Sequence, residues 1–145
     1  AAGVTVAREN VPELARRFNE IALAQLAASD LVAELRVDLE VPISSANLEL
    51  EALLRHFEPF GPSNPTPVLV SRDVRLAAPP RLMGDGHLKL RLLTDTGELE
   101  AIGWGMASLA SELDVATPFD IAYRLERDDW NGAQRLQAKI AAVRR

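Results

Sequence analysis

Between residues 87 and 93 the chain reads HLKLRLL, with Leu88, Leu90 and Leu92 alternating against His87, Lys89 and Arg91. A period of two predicts a strand with one dry face and one wet face. The same reading extends over most of the second half. VLVSRDVRL (68–76) is rich in β-formers, but its faces are mixed, which predicts a strand with a bulge or strong curvature. APPRLMGDG (78–86) is a turn-forming loop. Asp95-Thr96-Gly97 marks a hairpin into LEAIGWG (99–105), a strand bent by Gly103 and Gly105. MASLASEL (106–113) predicts a short helix. PFDIAYRLE (118–126) is a strand with Ile121, Tyr123 and Leu125 turned inward. DDWNG (128–132) makes a turn into RLQAKIAAV (135–143). In that last segment Ala and Gln also favour helix, but the alternation of Leu136, Ala138, Ile140 and Ala142 with Arg135, Gln137 and Lys139 points to a strand.

The first half has a different rhythm. Val11, Leu14, Phe18, Ile21 and Ala22 recur at three- and four-residue steps, one apolar face of a helix. Asn10, Pro12 and Glu13 form a capping box at its start, and Ser29-Asp30 ends it. LRVDLEV (35–41) alternates and predicts a strand. Asn47 caps a second helix over 47–58, with Leu50, Leu53, Leu54 and Phe57 as its buried stripe. EPFGPSNP (58–65) then breaks the pattern with three prolines and reads as a rigid joint into residue 66. The expected organisation is a helical and connecting segment over 1–65, with strand 35–41 and linker 58–67, followed by a barrel over 66–145. The fold class is α+β. Strand–strand–strand–helix–strand–strand within about 80 residues is the connectivity of an OB-fold, a small five-stranded Greek-key barrel whose second and third strands bind oligonucleotides or oligosaccharides.

Composition narrows the classes. The chain has 145 residues, 48% of them hydrophobic, enough for a real core. No apolar run is long enough to span a bilayer. Without cysteine there are no disulfides, thiol catalysis or zinc–cysteine sites, and a reducing cytoplasm is the expected compartment. AAGVTVAREN lacks the basic start and apolar stretch of a signal peptide, and its missing Met suggests an excised fragment. The formal net charge is −5, all of it in residues 1–65, where five Arg face ten acidic residues; residues 66–145 balance eleven against eleven. A strongly basic domain is absent, but the second half can still present one basic face.

No catalytic constellation stands out: there is no G-x-S-x-G, phosphate-cradling glycine loop or HExxH, and the histidines number only two. His56 beside the second helix stripe, Asp85 and His87 flanking Gly86, and Asp128-Asp129 in a turn read as structural. A binding surface is better supported. Lys89 and Arg91 share one polar strand face, Arg81 precedes them, Trp130 tips the last loop, and Arg135 and Lys139 share another face. Cations along a groove neutralise phosphates and exposed aromatics stack bases. The alternative is that these charges only cover the wet side of a half-buried sheet. Trp104 could stack on a base or fill the core.

The run LEALLRHFEPFGPSNPTPVL, followed by GDGHLKLRL, AIGWGMA, DIAYRLERDDWNG and RLQAKI, closely resembles the C-terminal region of bacterial RecJ, a family of 5′→3′ exonucleases specific for single-stranded DNA within the DHH phosphoesterase superfamily. Ala1-Ala2-Gly3 resembles the tail of the family's GGHxxAAG segment, so residues 1–65 would be the end of a DHHA1 domain. The resemblance implies recombination and repair as the setting. It also implies Mg or Mn in a catalytic core whose Asp, His and Gly-Gly-His residues lie upstream of residue 1, so no catalytic, cofactor or metal residue is expected here. The implied partner is single-stranded DNA, held through Arg81, Lys89, Arg91, Trp130, Arg135 and Lys139 by a monomer off the membrane. A docking role toward the core or a single-strand-binding protein is the other reading. The family commonly has glycine where Ser63 stands.

Overall fold

A computed structural model describes residues 3–27, 33–128 and 135–145. The expected helix end at Ser29-Asp30 and the loop carrying Asp129, Trp130, Asn131 and Gly132 lie outside these residues. The chain divides into two compact units, Ala1–Glu34 and Leu35–Arg145.

In the first unit, a 3₁₀ turn at Arg8–Asn10 leads into helix α1 (Val11–Gln25) with Pro12 in its first turn. The expected capping box does not form. Asn10 makes no side-chain cap because it already has helical φ/ψ as the end of the 3₁₀ turn, and Glu13, which would return to it, is drawn forward to Arg16 at 2.8 Å and Arg17 at 2.6 Å. Arg16 also pairs with Glu20. The helix is there, but Phe18 and Ile21 on its apolar face stand exposed.

The second unit is one seven-stranded sheet in the order β1-β2-β6-β7-β5-β4-β3. Its strands are β1 (Leu39–Glu40), β2 (Leu69–Val74), β3 (Arg81–Met83), β4 (His87–Thr94), β5 (Gly97–Gly103), β6 (Phe119–Asp128) and β7 (Arg135–Arg144). Strands β2, β4, β5, β6 and β7 are the five expected from the alternation, and the sheet is OB-like. The parallel pairing of β5 with β7 sets side by side two strands that β6 separates in sequence. The sheet is not a closed barrel. A single bridge between Leu76 and Leu92, with Ala77 N–H donating to Arg91 O and Leu93 N–H to Arg75 O at 2.8 Å each, brings the chain after β2 against β4.

The core lies inside this curve. Leu88, Leu90 and Leu92 are wholly buried, as are Leu69, Ile121, Tyr123 and Ala138. The Tyr123 hydroxyl lies 3.0 Å from Ser71 Oγ, which donates to Val41 O at 2.7 Å, so even the polar atom of this ring is satisfied. Burial pushes the Tyr123 phenol above its ordinary pKa, and the Ser71 hydrogen bond pulls the other way. The bulge expected in the first barrel strand falls between Ser71 and Val74, with Asp73 at φ +52°.

Several expectations are corrected. Strand 35–41 shrinks to β1, and Leu35, Val37 and Leu39 are exposed; alternation identifies one face but does not supply a layer to cover it. The helix over 47–58 is α2 (Leu48–Leu54) followed by a 3₁₀ turn at Arg55–Phe57, and Asn47 does cap it, accepting Leu50 N–H at 2.9 Å. Leu50 and Leu54 pack on the core, whereas Leu53 and Phe57 are exposed and the buried side chain is Glu51. The helix over 106–113 is only a 3₁₀ turn at Ala107–Ser111. Strand β3 was hidden in a loop. Segment 35–65, grouped by sequence with the helical part, packs on the sheet through β1, Ala46, Leu50 and Leu54. In EPFGPSNP, Asn64 Nδ2 donates to Phe57 O at 2.8 Å and Pro59 O at 3.0 Å, while Gly61 and Asn64 exchange backbone hydrogen bonds. Ser63 is not among the residues at positive φ, so serine carries no backbone strain there.

Candidate nucleic-acid interface

Strand register decides what the outer face of the sheet presents. Arg81 lies opposite Lys89, Lys89 opposite Ile102, Ile102 opposite Lys139, and Lys139 opposite Arg124. Four cations therefore line one row across β3, β4, β5, β7 and β6. The central Ile102 is only 7% exposed, and the alkyl stems of the flanking lysines are placed to cover it. The next row runs Arg91, Glu100, Gln137, Glu126, and Arg135 follows opposite Asp128.

Of the six residues expected from the sequence, the structure brings Arg81, Lys89 and Lys139 into one row. It sets Arg91 one row away and Arg135 two rows away on the same side, and Trp130 lies outside the described residues. Strands β4 and β7 are not adjacent; β5 lies between them and contributes carboxylates. Lys89 Nζ reaches Glu100 Oε2 at 2.6 Å, Arg91 meets Glu98 Oε2 at 2.5 Å, and Lys139 Nζ lies 3.4 Å from Glu126 Oε1. Gln137 Nε2 donates to Glu100 Oε1 at 3.1 Å. The face is thus a lattice of ion pairs, with Arg124 as a further cation. Sequence reasoning missed Arg124, Glu98, Glu100 and Glu126, since partners across strands follow from register and not from spacing along the chain. Exposed pairs of this kind are each worth about 0–1 kcal/mol, so a phosphate can take the place of a carboxylate at little cost.

Two other clusters are scaffold. Glu51 meets Arg127 at 2.7 Å and Arg55 at 3.2 Å and fixes α2 to the end of β6. Asp120 takes Arg144 at 2.7 Å and Arg72 at 3.0 Å. The Arg144 hydrogen bond, above all, holds the Asp120 carboxyl below its usual range, with Asp73 N–H adding to it. The cleft of about 640 Å³ beside α2 is lined by Glu49, Glu98, Glu100 and Asp128 against Arg135, an unfavourable lining for phosphate. Among the described residues no group of three or more His, Asp or Glu could hold a metal ion. Among them, too, no helix is long and apolar enough to cross a membrane.

Comparison with known proteins accords with this sheet. The single-stranded-DNA-specific exonuclease RecJ of Bacillus subtilis is 30% identical over 146 residues, covering 99% of this chain and 19% of that protein. Thermus thermophilus RecJ in complex with Mn2+ superposes with a TM-score of 0.68 at 23% identity, over 99% of this chain and 20% of that one. Its Mg2+ complex gives 0.67 at 23% identity, over 97% and 21%. The chain spans about a fifth of the length of these relatives. Residues 37–142 match the RecJ OB domain, and the chain belongs to that family.

Proposed function

We propose that this chain is the part of a RecJ-like 5′→3′ exonuclease that holds and orients single-stranded DNA, in recombination and repair. Hydrolysis belongs to a core carrying Mg or Mn, with residues 1–34 contributing the end of a DHHA1 domain; the expected compartment is the cytoplasm. The observation that carries the reading is the row Arg81, Lys89, Lys139 and Arg124 on the exposed face of the β3, β4, β5, β7 and β6 strands. Lys and Arg along such a face neutralise successive phosphates, and the bound strand releases counterions. Arg91 and Arg135 stand one and two rows away on the same side of it, and Trp130 is the proposed stacking aromatic that accompanies them.

The double substitution Lys89→Glu and Arg91→Glu tests it. Affinity for a labelled oligo-dT at low salt should fall at least about tenfold, with a flatter salt dependence. Unchanged affinity and slope would remove this surface from the reading. A second reading is favoured by Glu98, Glu100 and Glu126, which already engage three of the cations. In it, the chain is a docking module for the catalytic core or a single-strand-binding protein. Capture of such a protein by a chain that binds no oligonucleotide would favour it.

A further inference from the structure

Trp104 sits between two glycines, each with its own local constraint. At Gly103 a Cβ would lie 2.9 Å from Met106 Sδ, so the backbone packs directly on that side chain. At Gly105 φ is +70°, a conformation that other residues rarely adopt. Together they end β5 and turn the indole outward, leaving Trp104 53% exposed. The ring is nonetheless held. The His87 ring stands edge-on at 4.6 Å between centroids with an interplanar angle of 67°, and His87 Nδ1 accepts the Gly105 N–H at 3.1 Å. Register carries the geometry further: Leu88 pairs with Gly103, and Lys89 with Ile102. His87 and Trp104 therefore end the outer face one strand step, about 7 Å, beyond Lys89 and Ile102.

A large apolar ring at this exposure serves the core little, while a charged row begins within the span of a nucleotide. We propose that Trp104 is a base-stacking platform, with His87 as its positioning residue, so that one nucleotide lays its base on the indole while its phosphate meets the Arg81 and Lys89 end of the row. This deepens the single-stranded DNA reading and rests on it. The ligand class is a strand with accessible bases, as distinct from a polyanion.

Trp130→Phe leaves Trp104 as the single tryptophan of the chain and makes its fluorescence specific. In that background an oligo-dT of about 15 nucleotides is titrated against an abasic strand of equal length at low salt. Stacking predicts quenching by oligo-dT and about tenfold tighter binding than to the abasic strand. Trp104→Ala, which has no tryptophan left in this background and is followed by anisotropy of labelled strands, as is Trp104→Phe, should bind both strands alike, with abasic affinity unchanged. Trp104→Phe should keep most of the preference. His87→Ala should lower the quenching without changing abasic affinity. Equal binding of the two strands before any change at Trp104, or a preference that survives Trp104→Ala, would overturn the platform and leave the cationic surface standing. Binding to neither strand would overturn both.

Discussion

Two sets of ion pairs in the second unit look alike in a contact diagram and differ in what they do. Glu51 is 4% exposed and sits between Arg127 and Arg55, joining α2 to β6 across 76 residues of sequence. On the outer face, Lys89 with Glu100, Arg91 with Glu98 and Lys139 with Glu126 form between neighbouring strands, with side chains one-third to one-half open to water. Removing one partner of a buried pair strands a charge in low dielectric, whereas an exposed pair exchanges its partner for water or phosphate with little change in free energy. The first set keeps the fold; the second, on the proposed reading, keeps cations extended for a phosphate to take over.

That contrast can be broken at Glu51. Glu51→Ala should lower unfolding stability by about 2–4 kcal/mol, the lower end reflecting the half-exposed Arg55. Urea denaturation gives the value, and a loss under about 0.5 kcal/mol would mean that the buried pair is as replaceable as the surface ones. A smaller loss is expected at Ser71→Ala, which takes away the hydrogen-bond partner of the buried Tyr123 hydroxyl and the tie to Val41. It should cost about 1–2 kcal/mol, and pairing it with Tyr123→Phe should recover part of the loss. Thermal melts of the single and double variants show whether it does. The smallest stability effect belongs to Glu98→Gln with Glu100→Gln, within about 0.5 kcal/mol by urea denaturation. The same change should tighten oligo-dT binding several-fold in a fluorescence anisotropy titration, because cations released from carboxylates meet phosphate unopposed.

Much of the sheet was legible because its signal is local. HLKLRLL alternates without a break, and Leu88, Leu90 and Leu92 are indeed wholly buried; the Ala- and Gln-containing β7 could be told from a helix by the same alternation. Elements that depend on a distant partner were not legible. Arg81–Met83 becomes a strand only because the edge of β4 offers it hydrogen bonds, and nothing in APPRLMGDG announces that. LRVDLEV alternates as well as any strand, yet the ladder holds only Leu39 and Glu40, since the parallel register would set residues 35–38 against 65–68, which precede β2 and include Pro65 and Pro67. Nothing along the chain marks Glu51 as buried; its burial follows from its pairs with Arg127 and Arg55. The candidate site divides in the same way. Its cations could be read from polar faces, but their carboxylate partners and Arg124 needed the register. For Trp104 the flanking glycines are the available signal; along the chain they indicate a bend in the strand, and only the fold shows that the bend leaves the ring exposed.

If the outer face trades its carboxylates for phosphates, the salt dependence of oligo-dT affinity measures that trade. Comparing the unchanged chain with Lys89→Gln, the account predicts a plot of log affinity against log salt that is shallower in the variant by about 0.7, one phosphate contact on a single strand. Parallel plots for the two proteins would contradict it, because Lys89 would then meet no phosphate.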